Sequence, residues 1–144
     1  MARTTTYLNF VDSTEQAFLF YRKVFGTEFL GPVHRFKDAP PPPGAPPLSD
    51  SVGNLVMHIE LPILGGHVLM GTDAPEEMGF KLVQGTNFNI NLEPDSRAEA
   101  DRLFAGLSEG GTVETPLQDM FWGAYYGACT DQFGIRWMVN FRSR

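Results

Sequence analysis

The stretch Asp12-Ser13-Thr14-Glu15-Gln16-Ala17-Phe18-Leu19-Phe20-Tyr21-Arg22-Lys23-Val24-Phe25-Gly26 reads as one amphipathic helix with its own start and stop signals. Ser13 and Gln16 have the spacing at which two side chains cap a helix reciprocally. Ala17, Phe20, Tyr21, Val24 and Phe25 recur at three- and four-residue intervals, which makes an apolar stripe, and Gly26 suits the left-handed turn that ends a helix. Ahead of it, Thr6 to Val11 alternates in the manner of a strand.

The same order returns in the second half of the chain. Asn87 to Leu92 alternates, Ser96 and Glu99 repeat the capping spacing, and Ala100, Leu103, Phe104 and Leu107 form the stripe before Gly110-Gly111. Asp12, Ser13, Ala17, Phe20, Tyr21 and Val24 match Asp95, Ser96, Ala100, Leu103, Phe104 and Leu107 at a constant offset of 83 residues (95 − 12). Past each helix come two strands joined by a turn: Leu55 to Leu61, Pro62 to Gly66 and His67 to Met70 in the first half, then Gly123 to Thr130, Asp131 to Gly134 and Ile135 to Phe141 in the second. Here the offset falls to 68 (134 − 66). The difference is about the length of the proline-rich stretch Asp38 to Asp50, which reads as an extended loop inserted in the first half.

The expected architecture is therefore α+β: two βαβββ modules, residues 1–80 and 84–144, forming a cupped, mainly antiparallel sheet within a single domain, 1–144. Hydrophobic residues at 42% and 12 Phe supply a core and argue against disorder. A net charge of -6 without a basic cluster argues against nucleic acid and anionic membrane as partners. No apolar run reaches a membrane span and the first residues lack the apolar core of a signal peptide. With a single cysteine, Cys129, no intrachain disulfide can form, which fits a cytoplasmic location.

The segments Tyr7-Leu8-Asn9-Phe10, Met57-His58-Ile59-Glu60-Leu61, Gly65-Gly66-His67-Val68-Leu69-Met70 and Phe121-Trp122 through Asp131-Gln132-Phe133-Gly134-Ile135-Arg136-Trp137-Met138 resemble the PhnB-like branch of the glyoxalase/bleomycin-resistance, or vicinal oxygen chelate, superfamily. The resemblance implies a homodimer and a small-molecule ligand. It leaves enzyme and binding protein both open, because the superfamily holds metal-dependent lyases, isomerases and ring-cleaving dioxygenases beside metal-free proteins that sequester drugs. Metal-dependent relatives place His, Gln or Glu on the first and last strands of each half. In this chain the last-strand positions fall on Met70 and Met138, and the first-strand positions near Tyr7 or Asn9 and Asn87 or Asn89. Thioethers bind divalent oxygen- and nitrogen-seeking ions poorly, so the expectation is no metal and no other cofactor.

His58 and Glu60 stand two apart on one strand and so share a face, which leaves a divalent-metal enzyme using these two as the alternative. A ubiquinone-pathway methyltransferase, a label some relatives of that branch carry, lacks the strand-to-helix glycine motif for a nucleotide cofactor, since Gly65-Gly66 and Gly110-Gly111 read as a hairpin and a helix stop. His34 and His67 fall in loop or hairpin positions. Cys129 reads as a buried apolar thiol, Asp131 as the cap of its own turn, and Trp137 as core. The expected ligand-binding residues are Asn9, His58, Glu60, Trp122 and Tyr126, with Tyr126 the second-half counterpart of His58; no catalytic residue is assigned. A third reading makes the proline-rich loop an interaction module.

Overall fold

The computed structural model describes residues 1–143. The chain divides into two compact units, Met1–Val83 and Gln84–Arg144. In the first, strand β1 (Thr6–Phe10) leads into helix α1 (Thr14–Phe25), then the two-residue strand β2 (His34–Arg35), the one-turn helix α2 (Asp50–Gly53), and strands β3 (Val56–Pro62) and β4 (Val68–Asp73). The second runs β5 (Ile90–Leu92), α3 (Arg97–Ser108), β6 (Thr112–Asp119), β7 (Tyr125–Thr130) and β8 (Arg136–Phe141).

Each unit is a four-stranded mixed sheet, ordered β1-β4-β3-β2 in one and β5-β8-β7-β6 in the other. The first and last strands pair in parallel while the remaining pairs are antiparallel, which is the α+β, mainly antiparallel βαβββ arrangement expected. The correspondence is close. Met70 pairs with Tyr7 on one side and Glu60 on the other, and Met138 pairs with Asn91 and Ala128. Asn91, and neither Asn87 nor Asn89, is thus the first-strand partner of Met138. The interval from first strand to helix is one position shorter in the second unit, so the first strands correspond at an offset of 84 (90 − 6) where the helices correspond at 83 (97 − 14), which carries Tyr7 to Asn91.

In the first unit α1 packs on β3 and β4. Leu8, Phe10, Ile59, Leu61 and Leu69 meet Ala17, Phe18, Tyr21 and Val24 in the core. Phe18 takes the buried place that the stripe assigned to Phe20, which is half-buried together with Phe25. The reason lies on β4. A Cβ on Gly71 would stand 2.5 Å from the Phe18 ring, so the bare glycine opens the slot that the ring fills. In the second unit Ala100, Leu103, Phe104 and Leu107 are all buried as expected, over Cys129, Trp137 and Val139.

The two helix starts differ. Ser96 accepts from the Glu99 amide at 3.1 Å, as its spacing predicts. Ser13 makes no such bond. The buried Asp73, 59 residues on, accepts from the Thr14 amide at 3.0 Å and from the Val56 amide at 2.8 Å, and so joins the start of α1 to the start of β3. Asp131 caps its turn as expected, accepting from the Phe133 and Ile135 amides, and also takes the Trp137 indole N–H at 2.8 Å. Residues 40 to 50 are exposed throughout, and Ser49 caps α2 through the Val52 amide. Among the described residues no helix is long and apolar enough to cross a membrane.

Candidate functional site

On β3 the side chains of Ile59 and Leu61 face the helix, which sends His58 and Glu60 to the opposite face of the sheet. Met70 and Thr72 on β4 and Tyr7 and Asn9 on β1 share that face, because the ladder sets Tyr7 and Glu60 on either side of Met70 and Asn9 beside Thr72. One face of the sheet is thus core, and the other is a band of polar groups around a thioether.

These groups form a hydrogen-bonded chain. The Tyr7 hydroxyl lies 3.1 Å from His58 Nδ1, and His58 Nε2 lies 2.9 Å from Glu60 Oε2. Arg3 approaches the other carboxylate oxygen at 3.6 Å. The hydrogen bond from His58, aided by the charge of Arg3 on the other oxygen, holds the Glu60 carboxyl below its usual range. Partial burial and the neighbouring Glu60 charge push the Tyr7 phenol up. Tyr7 is 46% exposed, and both His58 and Glu60 keep about a quarter of their side-chain surface, so the chain is within reach of a small molecule.

His58 and Glu60 share a face, as their spacing predicts; the ladder puts Asn9 on that face too, and Tyr7 joins them as a residue the ligand-site reading did not include. His34 is not in a loop: it opens β2 and stands across the ladder from His58. His67 meets the Thr6 hydroxyl at 2.8 Å in the β3–β4 hairpin.

In the second unit Tyr126 lies on β7 and Trp122 in the hairpin before it, their ring centroids 6.3 Å apart. Trp122 is 45% exposed, and Phe121 packs against it edge-on at 5.0 Å. Trp137 is fully buried, as expected. Cys129 is buried, and desolvation, with Asp131 and Glu114 nearby, raises its thiol to about 12, which keeps it protonated and unreactive as a nucleophile. A cavity of about 500 Å³ beside Glu93, Asp95, Asn140 and Arg142 and another of about 380 Å³ beside Asp12, Val52, Pro75 and Glu76 include none of the expected residues. Neither gathers linked polar groups as the sheet face does.

The donor set does not suit a divalent ion. Both imidazole nitrogens of His58 are engaged, the adjoining ladder position is the Met70 thioether, and among the described residues no three His, Cys, Asp or Glu side chains converge.

A family model described as Glyoxalase/Bleomycin resistance protein/Dioxygenase superfamily matches residues 5–139. Protein YjdN of Escherichia coli is 26% identical over 144 residues, covering 93% of this chain and 91% of that one. An uncharacterized protein of Mycobacterium bovis is 33% identical over 136 residues, covering 90% and 77%. Among solved structures, protein PA1353 from Pseudomonas aeruginosa superposes with a TM-score of 0.84 at 33% identity, each chain covered in full. The PhnB protein from Bacillus cereus superposes at 0.75 with 21% identity, covering 97% of this chain and 99% of that one, a likeness of fold.

Proposed function

The chain belongs to the glyoxalase/bleomycin resistance protein/dioxygenase superfamily, and from that premise we propose that it is a small-molecule-binding protein without a catalytic metal. Its ligand lies on the polar face of the first unit's sheet, against the linked side chains of Tyr7, His58 and Glu60 with Asn9 beside them. The observation that carries this reading is the Tyr7–His58–Glu60 chain on the face of the sheet away from the core. A soluble domain has no packing need for three linked polar side chains there, whereas a ligand site needs a few convergent polar groups. Within the second unit we assign a ring-stacking surface of its own to Trp122 and Tyr126, whose ring centroids lie 6.3 Å apart.

The test compares a naphthol with naphthalene, two flat ligands that differ in one hydroxyl. His58→Ala, which removes the group that orients the Tyr7 hydroxyl, is expected to weaken naphthol more than naphthalene, by about 1 to 2 kcal/mol, the worth of one hydrogen bond, as read by calorimetric titration. Quenching of protein fluorescence by either compound is expected to fall in Trp122→Phe, since Trp137 is buried. Unchanged binding in His58→Ala, Tyr126→Phe and Trp122→Phe, with the fold intact, would assign all three to structure.

The same reading carries a homodimer in the cytoplasm, supported by the sheet edges that β1 and β2 leave for a second copy to cover and by the reduced, buried Cys129. Native mass spectrometry of freshly purified protein is expected to show twice the chain mass with far less than one bound Zn, Mn, Ni or Fe per chain. A stoichiometric ion that disappears in His58→Ala would replace this reading with the metal enzyme, and a monomer at micromolar concentration would remove the dimer.

A further inference from the structure

The hydrogen-bonded chain on the first unit's sheet also fixes which kind of polar group its ligand must carry. An ionised carboxylate only accepts hydrogen bonds. Glu60 is flanked by Arg3 on one oxygen and His58 on the other, so the 2.9 Å contact at Oε2 requires that His58 Nε2 carry the hydrogen and donate it. A neutral imidazole has one N–H, which leaves Nδ1 with a lone pair. The Tyr7 hydroxyl, 3.1 Å away, must then donate its hydrogen to Nδ1. A phenol has one hydrogen. Once it is committed, the oxygen can offer a ligand only lone pairs.

We propose that Glu60 and His58 orient the Tyr7 hydroxyl as an acceptor, so that this site selects flat ligands bearing an N–H or O–H donor over acceptor-only molecules of the same shape. The inference rests on the ligand site proposed above and adds its polarity. The surroundings agree with a flat ligand: Met70 occupies the ladder position between Tyr7 and Glu60, and its sulfur accepts from the Thr5 hydroxyl at 3.7 Å, so the neighbouring surface is a soft thioether. His34, across the ladder from His58, and Arg3 are the other titratable groups at the cluster. Neither contacts the Tyr7 hydroxyl in place of His58.

Glu60 and His58 act here as positioning residues and Tyr7 as the ligand contact. Glu60→Gln supplies a diagnostic change, because a Gln side chain can donate as well as accept. Presenting its amide N–H to Nε2 would move the imidazole hydrogen to Nδ1 and release the Tyr7 hydrogen for the ligand. The donor preference should then shrink while the phenol itself is untouched, an outcome that a purely structural role for Glu60 would not produce.

Indole and benzofuran are the probes, since they match in shape and differ in presenting a ring N–H or a ring oxygen. Binding is read at pH 8 by chemical-shift titration of isotope-labelled protein. The unmodified protein is expected to favour indole by about tenfold, the worth of one hydrogen bond with an unfavourable oxygen–oxygen contact avoided. Tyr7→Phe should abolish that ratio, and Glu60→Gln should reduce it to about threefold or less, with circular dichroism confirming the fold. Equal affinities in the unmodified protein, or a ratio that survives Tyr7→Phe, would overturn the polarity while leaving the binding site standing. Binding of neither probe would overturn both.

Discussion

Replacing Asp131 with Ala is expected to lower the unfolding free energy by about 4 to 5 kcal/mol, because three donors lose a shared acceptor in a place that water does not reach. The carboxylate is 3% exposed and accepts from the Phe133 amide at 2.8 Å, the Ile135 amide at 3.1 Å and the Trp137 indole at 2.8 Å. The amide bonds hold the turn between β7 and β8, while the indole bond places the largest buried side chain of the unit. Asp131→Asn retains an acceptor oxygen and should lose about half as much, since its amide nitrogen must face a donor. Urea unfolding followed by tryptophan fluorescence measures both. A loss below about 1 kcal/mol in Asp131→Ala would show that the turn and the indole find other acceptors.

For Asp73→Ala the expected loss is about 3 to 4 kcal/mol, from two charged-acceptor hydrogen bonds in a site 2% exposed. The Thr14 amide is one of the donors a helix start leaves unpaired, and the Val56 amide opens β3, so the variant should loosen α1 and β3 together. Ser13→Ala is the control. An N-cap serine is ordinarily worth about 1 kcal/mol, but Ser13 makes no capping bond and its removal should cost a few tenths. Equal losses in the two variants would move the capping role back to Ser13.

That pair of residues also shows where the sequence was readable. The spacing of Ser13 and Gln16 located the start of α1 because a capping pair and an apolar stripe are local properties. It misassigned the cap, because the true acceptor is brought from β4 by parallel pairing, which no local pattern records. Two strands escaped for related reasons. β2 has two residues, too few for any alternation. β6 carries Pro116 and its register shifts on both sides of Thr115, and a proline demotes a strand reading except at an edge or irregularity, which is where β6 lies.

The candidate site was legible in the same uneven way. His58 and Glu60 share a face by their spacing alone, and the structure joins them. Tyr7, 51 residues from His58, was noticed only as a position where metal-binding relatives carry a ligand. Its contact with the imidazole follows from the register of β1 on β4. Asn9 shares the face through the same register.

The pairing of first strand with last has a consequence for the proline-rich insertion, which lies inside the segment that pairing closes. Thr6 meets Leu69 across 63 residues (69 − 6), whereas Ile90 meets Trp137 across 47 (137 − 90). The entropy of bringing chain ends together grows only with the logarithm of the intervening length, so the longer circuit of the first unit is harder to close by about 0.3 kcal/mol. Exposed from residue 40 to residue 50, the insertion also withdraws nothing from the core. Its length and composition can therefore drift widely while β1 still finds β4.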